Sequence, residues 1–156
     1  MRRLLIADDD AGAREMLGHV VQDIGLEVDP VASGEEAIAK LEEGRKYDLV
    51  LTDLKMPGMS GLDLVREVKT RDPSMEVIVL TGYPSVDTAV EAVKSGAYDY
   101  IIKPFRVAEA RLAIGRALEK RALRGEAHFF KALFIATLLS LPFWGLIALI
   151  VWMLTR

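Results

Sequence analysis

The chain has 156 residues, a length suited to one ordinary domain, and its small net charge of −3 gives no basis for non-specific binding to nucleic acid. It contains no cysteine, which excludes disulfides and thiolate metal sites. Charges are spread from Met1 to Lys131 and then stop until Arg156, so the composition divides into a mixed part and an apolar part. The opening MRRLLIADDD is basic and then apolar, but the apolar run is too short for a signal peptide and ends in three acids, so most of the chain is expected in the cytoplasm.

In chain order, strand and helix patterns alternate. Leu4 to Ala7 is a short apolar run ending in acid, the first predicted strand. Ala11 to Ile24 has helical spacing, with Met16, Leu17, Val20, Val21 and Ile24 on one face and Gly25 as the stop. Glu27 to Ala32 is a weaker strand, and Pro30 marks it as an edge. Ser33 followed by Glu36 reads as a capping box for a helix that stops at Gly44. Leu49 to Leu51 is a buried strand, followed by a loop punctuated by Pro57-Gly58 and Ser60-Gly61. Leu62 to Lys69 is helical, Val77 to Leu80 is a buried strand, and Ser85 to Lys94 is helical up to Gly96. Tyr98 to Ile102 is the fifth strand, and Val107 to about Leu123 the last helix before the apolar part. Short continuous apolar strands alternating with helices predict an α/β fold, a doubly wound parallel sheet of five strands covered on both faces. Its ligand crevice should lie at the carboxyl ends of the strands.

Those ends carry the chemistry. The first strand ends in Asp8-Asp9-Asp10, the third in Thr52-Asp53, the fourth in Thr81-Gly82 and the fifth in Lys103-Pro104. An acid after a strand is commonly a turn or cap residue, and a single Lys-Pro is commonly a solvated turn. Four such signals at equivalent positions converge on one crevice. Clustered carboxylates repel unless a cation lies between them, and an all-oxygen set suits Mg²⁺. A lysine beside them can pair with a carboxylate or a phosphoryl oxygen. Asp10 is better placed to cap the first helix than to bind metal. His19 and His128 stand alone and receive no role.

The stretches LLIADDD, LTDLKMPGMSGLDL and VIVLTGYPSVDTAVEAVKSGAYDYIIKPF, in this order, resemble the two-component response regulator receiver domain, the CheY-like superfamily. The third stretch is most similar to receivers of the NtrC type. The resemblance covers residues 1–122 and implies a flavodoxin-like sheet with strand order 2-1-3-4-5. It implies Asp53 as the phosphorylated aspartate, and Asp8, Asp9, Asp53 and the Lys55 backbone carbonyl as the holders of Mg²⁺. It implies Thr81 as the switch hydroxyl, Lys103 as the lysine on a phosphoryl oxygen, and Tyr100 as the aromatic whose rotamer follows Thr81. Lys103-Pro104 is where this family has a cis peptide. The implied donors are a sensor histidine kinase or a histidine phosphotransfer protein. The chain is then no enzyme on a separate substrate, assisting only its own phosphorylation and dephosphorylation. A phosphohydrolase of the haloacid-dehalogenase type would want an aspartate two residues after its nucleophile, where this chain has Lys55. An adaptor that is never phosphorylated would not need the full set of Asp8, Asp9, Asp53, Thr81 and Lys103.

Residues 132–154, ALFIATLLSLPFWGLIALIVWML, carry no charge over 23 positions. A helix of that length covers about 34 Å, enough for a bilayer core of about 30 Å. The segment predicts a transmembrane helix, joined to the receiver by a juxtamembrane linker over residues 123–131. Trp152 at one end and Phe129 and Phe130 at the other suit interfacial positions, and Pro142 lies mid-span. Arg121, Arg124 and Lys131 precede the span while Arg156 alone follows it, which places the receiver on the cytoplasmic side of the inner membrane in a single-pass arrangement. With no output domain in the sequence, the expectation is a membrane-anchored single-domain response regulator. Its output would be contact with a protein partner, itself membrane-bound or soluble, and a homodimer is compatible with this.

Overall fold

The computed structural model describes residues 2–154; within helix, only the backbone of residues 125–133, 138–151 and 154 is described. The chain divides into two compact units, Met1–Arg121 and Ala122–Arg156. The first unit holds five strands, β1 (Arg3–Ala7), β2 (Glu27–Val31), β3 (Leu49–Asp53), β4 (Glu76–Thr81) and β5 (Asp99–Ile102). Between them lie α1 (Ala11–Asp23), α2 (Gly34–Glu42), α3 (Gly61–Arg71) and α4 (Val86–Lys94). Helix α5 runs Val107–Leu154, so helical backbone carries on beyond the expected end near Leu123.

All strand pairings are parallel and the order is β2-β1-β3-β4-β5, as the resemblance implies. β2 is an edge strand and contains Pro30, a residue that cannot donate to a ladder from inside a sheet. Covered on both faces, β1, β3 and β4 need apolar residues at nearly every position rather than an alternation. Alternate residues then feed two cores. Leu5, Val50, Val77 and Val79 pack with α2 and α3 residues such as Ala37, Leu64 and Val65. Leu4, Ile6, Leu49, Leu51, Ile78 and Leu80 pack with Leu17 and Val21 of α1 and with Ile114 and Ala117 of α5. Each fully buried Leu, Ile or Val contributes about 1.5–3 kcal/mol relative to exposure.

Local chemistry sets the helix ends. Asp10 caps α1 by accepting from the Ala13 amide, and Ser33, Ser60 and Ser85 cap α2, α3 and α4 in the same way. Helix α1 ends before Gly25, which takes φ 77° and so needs a residue without a side chain. The expected capping box at Ser33 differs in one respect: Glu36 accepts the Ala32 amide rather than that of Ser33. A full box forms instead at α4, where Ser85 and Thr88 satisfy each other's backbone amides.

Among the described residues, no helix is long and apolar enough to cross a membrane. Most of the expected span over 132–154 lies outside the residues whose side chains are described, as does most of the expected linker.

Candidate functional site

The register of the sheet assembles the crevice. Ala7 pairs with Thr52 and Asp53 with Leu80, so the next step along β1 brings Asp8 level with Asp53, and Thr81 stands one residue further along β4. The Lys103 amide donates to the Thr81 carbonyl at 2.7 Å, which ties the end of β5 to the end of β4. The peptide bond between Lys103 and Pro104 is cis.

Three charged side chains meet here. Lys103 Nζ lies 2.6 Å from Asp8 Oδ2 and 2.6 Å from Asp53 Oδ1. The other Asp53 oxygen, Oδ2, accepts the Lys55 amide at 2.7 Å. Both Asp53 oxygens are thus held by donors and the carboxylate cannot rotate freely. Asp8 and Asp53 are buried, and Asp9 is exposed. Asp8 Oδ1 also accepts the Asp10 amide at 3.0 Å.

Burial pushes the Asp8 carboxyl above its ordinary value, and the bonds from Lys103 and the Asp10 amide offset this only in part; the Asp53 charge adds to the upward shift. For Lys103, burial acts to lower the pKa, but the bonds to Asp53 and Asp8 outweigh it and hold the ammonium above its ordinary value. Two crowded acids and one firmly charged lysine make a pocket that favours added positive charge.

The donors suit Mg²⁺, which takes one or two carboxylates, accepts carbonyl oxygens and keeps several waters. Among the described residues no three His, Cys, Asp or Glu side chains are close enough to form a metal group by themselves. Lys103 gathers Asp8 and Asp53, while Asp9 is exposed beside Asp8, where a carboxylate can reach a hydrated cation at the mouth of the crevice.

The switch candidates are near one another but bonded elsewhere. Thr81 is buried and its hydroxyl accepts the Tyr83 amide at 3.0 Å. Tyr100 is half-buried and its hydroxyl lies 2.8 Å from Thr88 Oγ1 on α4. Two participants escaped the sequence reading. Thr88 links Tyr100 to the first turn of α4, and its spacing of three from Ser85 was the available signal. Gly61 opens α3, and a Cβ there would fall 2.0 Å from the Asp53 carbonyl oxygen. Only a glycine lets α3 start against the strand end that carries the acid.

Residues 4–115 match the family model described as the response regulator receiver domain. The chain belongs to the response regulator receiver family. The receiver is 41% identical over 115 residues to the transcriptional regulatory protein ZraR of Klebsiella oxytoca, covering 74% of this chain and 26% of that one. It is 37% identical over 113 residues to the DNA-binding transcriptional regulator NtrC of Salmonella typhimurium, covering 72% of this chain and 24% of that one. The chain therefore spans about a quarter of the length of these curated relatives. Among solved structures, a receiver domain from Clostridium thermocellum superposes with TM-score 0.74 at 34% identity, over 79% of this chain and 98% of that one. The beryllofluoride-activated NtrC4 receiver domain dimer superposes with TM-score 0.74 at 35% identity, over 78% of this chain and 99% of that one. Receivers as a family are phosphorylated on an aspartate by a kinase and generally bind Mg²⁺ at that site.

Proposed function

We propose that this receiver accepts a phosphoryl group on Asp53 from a histidine kinase or a histidine phosphotransfer protein, and that it signals by contact with another protein. The observation that carries the reading is the Asp53 carboxylate, fixed by Lys103 Nζ on one oxygen and the Lys55 amide on the other. In the transfer an Asp53 oxygen forms the bond to phosphorus while the phosphorus–nitrogen bond of the donor histidine breaks, and the imidazole keeps the electron pair. The protein's part is positioning and charge neutralisation. Lys103 stays charged and sits where the phosphoryl oxygens gain charge. Asp8, Asp9, Asp53 and the Lys55 carbonyl would hold Mg²⁺, which supplies further neutralisation of those oxygens. On this reading Thr81 and Tyr100 act as the switch pair. The protein has no separate substrate and assists only the gain and loss of its own phosphoryl group.

The output reading rests on α4. Val86, Val90 and Val93 are 80%, 45% and 70% exposed and recur at helical spacing, an apolar stripe of the kind that marks a protein contact. One similar receiver is a dimer in its beryllofluoride-activated state, which favours a second copy as one such contact. We further propose that residues 132–154 cross the inner membrane once, with the receiver facing the cytoplasm. The uncharged run supports this, as do the described side chains within it: Phe134, Ile135, Trp152 and Met153 are all exposed in the chain by itself. The Thr137 hydroxyl is spent within its own helix, on the Phe134 carbonyl at 2.8 Å.

The test is phosphorylation of the full-length chain, in mild detergent, by acetyl phosphate. One phosphoryl group per chain is expected with Mg²⁺ and none without it. Asp53→Asn is expected to take none, because an amide is not a comparable nucleophile. Undiminished labelling of that variant would remove Asp53 from the role.

A further inference from the structure

The loop that follows Asp53 is braced from outside. It begins at Lys55, whose amide bonds Asp53 Oδ2, and ends at Gly61, whose amide bonds the Leu54 carbonyl at 3.0 Å. Between these ends its backbone is tied to α2, a helix that contributes nothing to the charged cluster. Glu35 Oε1 accepts the Met59 amide at 2.8 Å.

An acid in the first turn of a helix is ordinarily explained by the helix dipole. For Glu35 that account is insufficient, since its carboxylate leaves its own helix start to accept a loop amide, while the Ser33 hydroxyl accepts the Glu36 amide. Two further fits converge on the same contact. Gly58 takes φ 76°, and a Cβ there would fall 2.5 Å from Glu35 Oε1. A Cβ on Gly34 would fall 2.8 Å from Met59 Cβ and 2.9 Å from its Cγ. The loop is bare where the carboxylate arrives, and the helix is bare where Met59 rests.

We propose that Glu35 is a positioning residue for phosphoryl acceptance: it fixes the backbone of Lys55–Ser60 and so sets the direction of the Lys55 amide and carbonyl at Asp53. This rests on the reading of Asp53 as the acceptor. The effect passes through geometry, so what matters is an acceptor oxygen at Glu35 rather than its charge. Glu35→Gln retains that oxygen, Glu35→Ala removes it, and Gly34→Ala pushes on the same contact from the helix side.

The experiment compares these variants with the wild-type full-length chain in detergent. Amide hydrogen exchange at Met59 and Lys55 is measured by NMR in the absence of metal, the melting temperature is recorded, and labelling by acetyl phosphate is followed against Mg²⁺ concentration. For Glu35→Ala and Gly34→Ala, exchange at Met59 is expected to quicken by about five-fold and half-maximal labelling to need about five-fold more Mg²⁺. Glu35→Gln is expected to match wild type in both. Unchanged exchange and Mg²⁺ dependence in Glu35→Ala would overturn the proposal. So would a Glu35→Gln variant as impaired as Glu35→Ala, or a fall in melting temperature large enough to account for lost labelling. If the wild-type chain is itself not labelled, the acceptor reading fails and not this one; the exchange measurement still decides whether Glu35 orders the loop.

Discussion

At the scale of single residues, the site is built against stability. Asp8 is buried beside another acid, and its carboxyl is held above its ordinary value chiefly by burial. A group whose folded pKa is raised costs stability once the pH exceeds its unfolded value and the folded protein must ionise it. Asp8→Asn is therefore expected to raise stability by about 1 kcal/mol near pH 7, the gain typical of relieving a functional strain. The advantage should shrink as the pH falls through the carboxylate range, where Asp8 itself takes up a proton. Lys103 contributes in the opposite sense: its raised pKa supplies stability below its unfolded value, lost only as the pH rises through the folded one. Thermal melts of the two proteins between pH 3 and pH 8 test this, and a constant difference across that range would refute it. Gly61 gives a second expectation. Alanine there must displace the Asp53 carbonyl, since its Cβ would sit 2.0 Å away. We expect Gly61→Ala to cost about 2 kcal/mol in a urea melt and to slow labelling of Asp53 as well.

At the scale of elements, legibility depended on whether the signal was local. β1, β3 and β4 carry apolar cores because helices cover both faces, so their carboxyl ends, and with them Asp8, Asp53 and Thr81, could be located in the sequence. Pro30 identified an edge strand for a reason that depends on the residue alone. Contacts between distant segments could not be read this way. Glu35 and Met59 are separated by 24 positions, and only the packed structure brings them together. Thr88 looked like an ordinary helical residue, yet it serves the α4 cap and Tyr100 at once. A threonine hydroxyl has one proton to give and can accept two. The Thr88 hydroxyl lies 3.0 Å from the Ser85 carbonyl, accepts the Ser85 amide and lies 2.8 Å from the Tyr100 hydroxyl, a bond in which either oxygen can donate. Thr88→Ala should thus cost about 1 kcal/mol, the typical loss for a cap, and Tyr100→Phe less. Because the residues share a bond, the double variant should lose less than the sum of the two. Additive melting losses would show that the hydroxyl pair carries no coupling.

At the scale of the whole molecule, the proposed membrane span determines where the receiver can work. Leu, Ile, Phe and Val near the centre of a span each favour insertion by about 0.3 to 0.6 kcal/mol, and residues 132–154 hold many of them with no charge to oppose them. A helix lying on the membrane surface would need a polar face, and this run has too few polar residues to make one. Anchoring would confine the receiver to two dimensions, which raises its effective concentration near membrane kinases without any new contact. It would also stop the free diffusion by which a soluble receiver reaches distant targets, so the kinase, the partner or both should be membrane proteins. The full-length chain is expected to stay with membranes during alkaline carbonate extraction. Replacing both Leu146 and Ile147 with arginine adds about 2.5–3.5 kcal/mol per residue against insertion and should release the chain into the supernatant. Acetyl phosphate should label the released variant as well as the wild type, because neither substitution falls in the unit that holds Asp53. Labelling by a membrane-bound kinase should fall steeply, since only that reaction depends on shared confinement. Release of the wild-type chain by carbonate would end the case for insertion, and equal labelling of both proteins by the membrane kinase would end the case for confinement.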